Sequence, residues 1–214
     1  SSEAFLFETN LLINNIKEEF AKLEPNLTID ISTTSTPKSV MELGVQEGLI
    51  KSIYTALNGV YRMSPDIINL VETSNNIGRV IVKEGKIKIA CLTRSSSGSN
   101  KLDLANSLKS AFELSGFDIA LSGDYPGWQP NVNSEVLEIV RNLYEKLHGE
   151  KAHVAACHAG LECGILGQNY PKIDMVSFGP TIKGAHSPDE KVSIPSVDKF
   201  WKFLVEILKN TPKL

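Results

Sequence analysis

Apolar residues recur along this chain in two rhythms, one with helical spacing and one that alternates. Between Asn10 and Leu23 the apolar positions Leu12, Ile16, Phe20 and Leu23 share one helical face. The same spacing over Gln46–Leu57 places Leu49, Ile50, Ile53 and Leu57 on a stripe, with Gly59 closing the helix. Further helices are predicted over Lys101–Leu114, closed by Gly116, and over Ser134–Leu147, where Asn133 or Ser134 serves as N-cap. A short helix over Leu161–Leu166 and an amphipathic one over Val197–Lys209 complete the set. Strict alternation predicts strands at Leu27–Ser32 and in a hairpin, Gly78–Lys83 and Lys86–Leu92, turning at Glu84-Gly85. Segments Glu3–Glu8, Phe117–Leu121, Val154–Cys157 and Ile173–Phe178, rich in apolar residues, read as further strands.

These elements fall into two parts. Residues 1–122 mix helices with antiparallel pairing, an α+β layout, whereas 123–214 alternate helix and strand, the pattern of an α/β layer with a largely parallel sheet. The boundary falls at the Pro- and Gly-rich connector Ser122–Pro130. A chain of 214 residues accommodates one large domain or two small ones. The net charge of -3 comes without a basic stripe, which argues against a nucleic-acid partner. No apolar run is long enough to span a bilayer, and Ser1–Phe7 has no leader-like basic region. The three cysteines, Cys91, Cys157 and Cys163, form no CxxC pair and read as buried free thiols in a reducing cytoplasm.

Candidate chemistry gathers where strands end. His158 and Glu162 follow the Val154–Cys157 run, and His186 lies on a Gly- and Pro-rich loop after Ile173–Phe178. In open α/β sheets ligands bind at the carboxyl ends of strands, so these three side chains could share one rim. Glycines at 160 and 164 would allow a ligand close to the backbone. A neutral imidazole at 186 suits zinc, manganese or cobalt, although an isolated loop histidine often has no special partner. Glu162 reads equally well as a carboxylate at a helix start, where the macrodipole favours negative charge. Arg94 ends the Ile87–Arg94 strand as either a bidentate carboxylate clamp or a solvated edge charge. Ser95–Ser99 lacks the spacing and lysine of a P-loop. Cys157 and His158, adjacent on a strand, would face opposite sides, which places Cys157 in the core rather than beside a base.

Several of these segments, taken together, carry a family resemblance. His158–Gly164, Pro171–Ile182 and His186–Glu190 resemble the C-terminal part of the aminoacyl-histidine dipeptidases, carnosinase-like two-zinc exopeptidases. Tyr125–Pro130 resembles the family's interdomain segment, and Val71–Gly78 with Leu92–Ser95 resembles its lid. The likeness runs in order along nearly the whole chain.

The resemblance implies a ferredoxin-like lid, incomplete here, over 1–122 and the C-terminal part of a two-zinc catalytic domain over 123–214. It implies hydrolysis of Xaa-His dipeptides by metal-activated water, a cytoplasmic homodimer, and zinc, manganese or cobalt as the metal. It assigns His186 as a metal ligand, Arg94 as the clamp on the substrate carboxylate, and Glu162 and Gly164 as lining the substrate's amino side. His158 belongs to the same motif as a substrate-side residue. The family's other ligands come from a His-x-Asp motif, a bridging Asp, a Glu-Glu pair and a further Asp, and its lid carries a Gly-Gly-His-Ser-Gly segment. This chain has none of these in a suitable context, since Glu18-Glu19 lies on an amphipathic helix. The expectation is therefore a C-terminal portion, inactive alone, that needs an N-terminal half. Two alternatives remain: a non-catalytic lid or dimerisation module, and a related metallopeptidase or deacylase acting on another dipeptide or acyl-amino acid.

Overall fold

The Glu84-Gly85 turn organises the larger of the two sheets among the described residues. In the computed structural model, which describes residues 2–158 and 161–211, both turn residues are left-handed, with φ of 53° and 73°. That geometry matches the twist of a tight hairpin. It joins β2 (Val71–Lys83) to β3 (Lys86–Ser95) in a long antiparallel ladder. The first arm begins well before the expected Gly78, at Val71, and the second runs one residue past Arg94, to Ser95. A register shift between Ile77 and Arg79 divides the ladder. β1 (Gly59–Met63) adds an antiparallel edge that its short, exposed sequence had not announced.

Helix α2 (Leu43–Thr55) begins at Glu42, whose carboxylate accepts from the Gly44 amide, and stops at Ala56, before Gly59. Helix α3 (Gly98–Glu113) is capped by the Ser97 hydroxyl and lies on the sheet. Its Leu104, Leu108 and Phe112 meet Ala56, Leu57, Ile77 and Ile89. Leu104 is fully buried, and burial of such a side chain contributes about 1.5–3 kcal/mol. Phe117 and Ile119 close the same core, and Phe117 stands edge-on to Phe112 at 6.0 Å between ring centroids. The predicted strand 117–121 thus buries alternate residues but joins no ladder among the described residues.

Beyond the connector, α4 (Glu135–His148) starts at Ser134, whose hydroxyl accepts from Leu137, and ends at left-handed Gly149. Helix α5 (Glu162–Asn169) is short, and α6 (Ile194–Lys209) carries a proline in its first turn. Val140, Leu143 and Phe203 form the α4–α6 core, with Tyr144, Val176 and Ile207 against it. Two two-residue strands, β4 (Ile182–Lys183) and β5 (Lys191–Val192), frame the His186 loop.

The chain is mixed α and β, but the largely parallel sheet expected for 123–214 is absent among the described residues. Every ladder there is antiparallel, and 154–157 and 173–178 have no strand beside them. A strand exists only when its backbone groups find a partner. The expected opening strand is also overturned: Glu3–Glu8 lies in α1 (Ser2–Phe20), where Thr9 bonds back to the Phe5 carbonyl. Phe5, Leu6 and Phe7 are a continuous apolar run, which fits either state, and the helical spacing that follows extends back through them. Leu27–Ser32 keeps its alternation, with Leu27 and Ile29 half-buried, yet is unpaired among the described residues. The contacts divide the chain after Met41. The thiols are not core groups: Cys91 and Cys157 are exposed and Cys163 is half-buried. Cys157 loses its expected place because no sheet forms around 154–157.

Candidate substrate-binding site

The ladder places Arg94 opposite Ser74. Residues directly paired across antiparallel strands project from the same face, with Cβ atoms about 5 Å apart. The Arg94 side chain is exposed and has no salt bridge or side-chain hydrogen bond among the described residues. The Ser74 hydroxyl meets His158 Nε2 at 2.7 Å. Burial, and then the positive charge of Arg94, hold the His158 imidazole below its usual pKa. The ring is therefore neutral at pH 7, and it joins the strand pair to the segment that leads into α5.

Behind this pair the chain is stacked in three layers without room for side chains. A Cβ on Gly127 would lie 2.5 Å from the Ser96 carbonyl oxygen and 2.6 Å from that of Ser95. A Cβ on Gly164 would lie 2.3 Å from the Pro126 carbonyl oxygen. The end of β3, the connector and the first turn of α5 therefore touch backbone to backbone, which only glycine permits. Lys101 Nζ fastens the connector, donating to Asp124 Oδ1 at 2.5 Å and to the Tyr125 carbonyl at 2.6 Å. Glu162 is exposed at the first position of α5. The Tyr125 phenol is raised by burial, then by the negative charges of Glu162 and Cys163. Beneath the sheet end, Thr73 and Ser95 share a buried hydroxyl contact of 2.7 Å. Buried Glu72 accepts from Asn100 Nδ2 at 2.6 Å and pairs with Arg62 at 3.3 Å.

The expected residues Arg94, His158, Glu162 and Gly164 thus belong to one continuous packing unit. His186 does not join them through any hydrogen bond or ion pair among the described residues. It is exposed on the β4–β5 turn with a left-handed φ of 64°. Its amide donates to Glu190 Oε2 at 2.8 Å, and the Ser187 hydroxyl bonds the Gly184 carbonyl at 2.7 Å. A left-handed non-glycine residue costs of order 1–3 kcal/mol, and such residues concentrate at functional sites. The strain is offset here by a braced turn that leaves the imidazole in solvent. Gly160, named as a close-approach position, lies outside the described residues. Ser74, Lys101 and Gly127 were not singled out from sequence; Gly127 read only as loop punctuation.

The profile of Peptidase family M20/M25/M40 matches residues 12–210. This chain belongs to the M20 peptidase family. It is 40% identical over 197 residues to a cytosol non-specific dipeptidase of Escherichia coli (strain K12), a match covering 92% of this chain and 41% of the relative. The crystal structure of an aminoacylhistidine dipeptidase from Vibrio alginolyticus superposes on all of this chain and 43% of that one, with a TM-score of 0.82 and 40% identity. The M20 chain described here therefore spans about two fifths of the length of the relatives it matches. Peptidases of this family are generally metal-dependent, but the donors present do not make a metal centre. Among the described residues no group of three or more His, Cys, Asp or Glu side chains could hold an ion. His186 could supply one imidazole to such an ion. No helix among the described residues is long and apolar enough to cross a membrane.

Proposed function

We propose that this M20 chain is the substrate-holding part of a metal-dependent dipeptidase that acts on Xaa-His dipeptides. The observation that carries the reading is the joined unit of Arg94, Ser74, His158 and the α5 start, in a chain 40% identical to two dipeptidases. Arg94 receives the substrate carboxylate, for which its exposed guanidinium provides two parallel donors. Glu162 faces the substrate's amino group at the other end, and Gly164 keeps the wall between them thin. His186 is one ligand of a zinc site, with manganese or cobalt as alternatives. Ligands from polypeptide outside these 214 residues would complete that site, and a metal bound there would supply Lewis-acid activation of water and of the peptide carbonyl. The ferredoxin-like lid over 1–122, catalytic part over 123–214, cytoplasmic location and homodimer belong to the same reading.

The test is Arg94→Ala in the whole enzyme, assayed on alanyl-histidine and on alanyl-histidinamide. Loss of a charged hydrogen-bond partner should raise KM for the free acid roughly 10- to 100-fold. The amide, which lacks the carboxylate, should be hydrolysed poorly by both enzymes. Equal KM values in the wild type and the variant would remove Arg94 from the site.

A second reading, a lid or dimerisation module without catalysis, draws on the apolar side chains that the hairpin exposes at Val80, Val82 and Leu92. Sedimentation of these 214 residues alone tests this second reading, because a monomer at high concentration argues against it.

A further inference from the structure

We propose that Ser74 and His158 form a positioning pair that fixes the span between Arg94 and Glu162, and so sets the length of peptide the site accepts. The inference rests on the dipeptidase reading above. Neither residue of the pair touches the reacting peptide bond in this account; both act through Arg94 and Glu162.

The geometry has three parts. The Ser74 hydroxyl and His158 Nε2 are 2.7 Å apart and partly buried, so breaking the bond leaves a desolvated polar group without a partner. Ser74 stands directly opposite Arg94, so holding Ser74 holds the strand end that carries the guanidinium. Glu162 opens α5, whose Gly164 lies against the Pro126 carbonyl, while Gly127 lies against the carbonyls of Ser95 and Ser96, next to Arg94. The Ser74–His158 bond and this backbone stack together tie the carboxylate end of the site to its amino end. Burial and the charge of Arg94 keep the imidazole neutral. It serves as a strut beside the guanidinium rather than as a second cation competing for the substrate.

A peptide gripped at both termini is measured by the distance between the two grips. Each additional residue lengthens an extended peptide by about 3.5 Å. A rigid span therefore rejects tripeptides, and a loosened one admits them while holding dipeptides less well.

In the full-length enzyme, Ser74→Ala and His158→Ala should each raise KM for alanyl-histidine about 10-fold. The loss should fall on KM rather than kcat, and the preference for alanyl-histidine over alanyl-alanyl-histidine should narrow. The double variant should be no worse than the poorer single one, since both remove the same bond. Ser74→Thr keeps the hydroxyl, and His158→Gln keeps a polar group near the Nε2 position. Both should restore KM and the length preference, which separates positioning from a general folding defect. Additive losses, or conservative variants as impaired as the alanine ones, overturn the proposal. If Arg94→Ala raises KM while Ser74→Ala and His158→Ala leave it unchanged, the pair falls and the dipeptidase reading stands. If Arg94→Ala has no effect on KM, both fall together.

Discussion

The hairpin region and the α4–α6 region obey the same sequence rules and end in different states. Around β2 and β3, alternating residues find partners within the chain, and α3 seals the face with fully buried Leu104. Around α4 and α6, segments 154–157 and 173–178 are as apolar as strands should be, yet form no ladder among the described residues. Phe203 is buried there beside a cavity of about 840 Å³, lined also by Val154, Val176, Phe178 and Phe200. The difference shows that period and apolarity specify what a segment can become, while a neighbouring backbone decides whether it does.

The largest effect that probes this contrast is in the cores. Leu104→Ala should cost about 2–5 kcal/mol, measured by urea unfolding. Phe203→Ala should cost less than the ~3–5 kcal/mol of an enclosed phenylalanine, because its surroundings are open. In the whole enzyme the Phe203 cost should rise if further polypeptide covers the cavity, while the Leu104 cost should stay the same.

A smaller effect is expected where the two regions meet at the connector. Gly127→Ala and Gly164→Ala each drive a methyl group into a carbonyl oxygen. Each should destabilise by about 1–3 kcal/mol, read as a lower thermal midpoint. An unchanged midpoint would mean that the three layers part easily.

The smallest effect is at Asp174, which ties segment 173–178 to the start of α4. Burial pushes its carboxyl up, but bonds from the Val136 amide, the Ser134 hydroxyl, Asn131 and the Met175 amide outweigh it and hold the pKa below the usual value. A depressed carboxylate stabilises the fold above its unfolded pKa of about 4 and loses that contribution as pH falls through the lower folded value. Asp174→Asn should therefore lower stability at neutral pH and flatten its decline below pH of about 4. A parallel decline in both proteins would assign no role to these bonds.

Much of this was legible. The helix over Lys101–Leu114, the Ser134 cap of α4 and the Glu84-Gly85 turn were all readable from spacing and residue type. What escaped was register and partnership. Lys83 faces Lys86 across the turn, and an unbroken ladder would set Ser74 opposite Ser95; the shift at Ile77–Arg79 brings Arg94 there instead. No periodicity announces a one-residue slip, although it decides which side chains share a face. His186 was legible as a candidate ligand through its family motif, but its left-handed backbone was not. Segments 154–157 and 173–178 form no strands because no described segment pairs with them, whereas Glu3–Glu8 joined a helix that its apolar run fits equally well.

In the proposed function, His186 is one ligand of a metal site completed by polypeptide outside these 214 residues. The direct measurement is zinc content and alanyl-histidine turnover for three proteins: this chain alone, the whole enzyme and its His186→Ala variant. Neither stoichiometric zinc nor turnover is expected for the chain alone. Both are expected for the whole enzyme, and the variant should lose zinc and fall in turnover by more than about 100-fold, beyond what residues around a ligand contribute. Turnover by the chain alone, or a His186→Ala enzyme with full zinc and activity, would contradict this assignment.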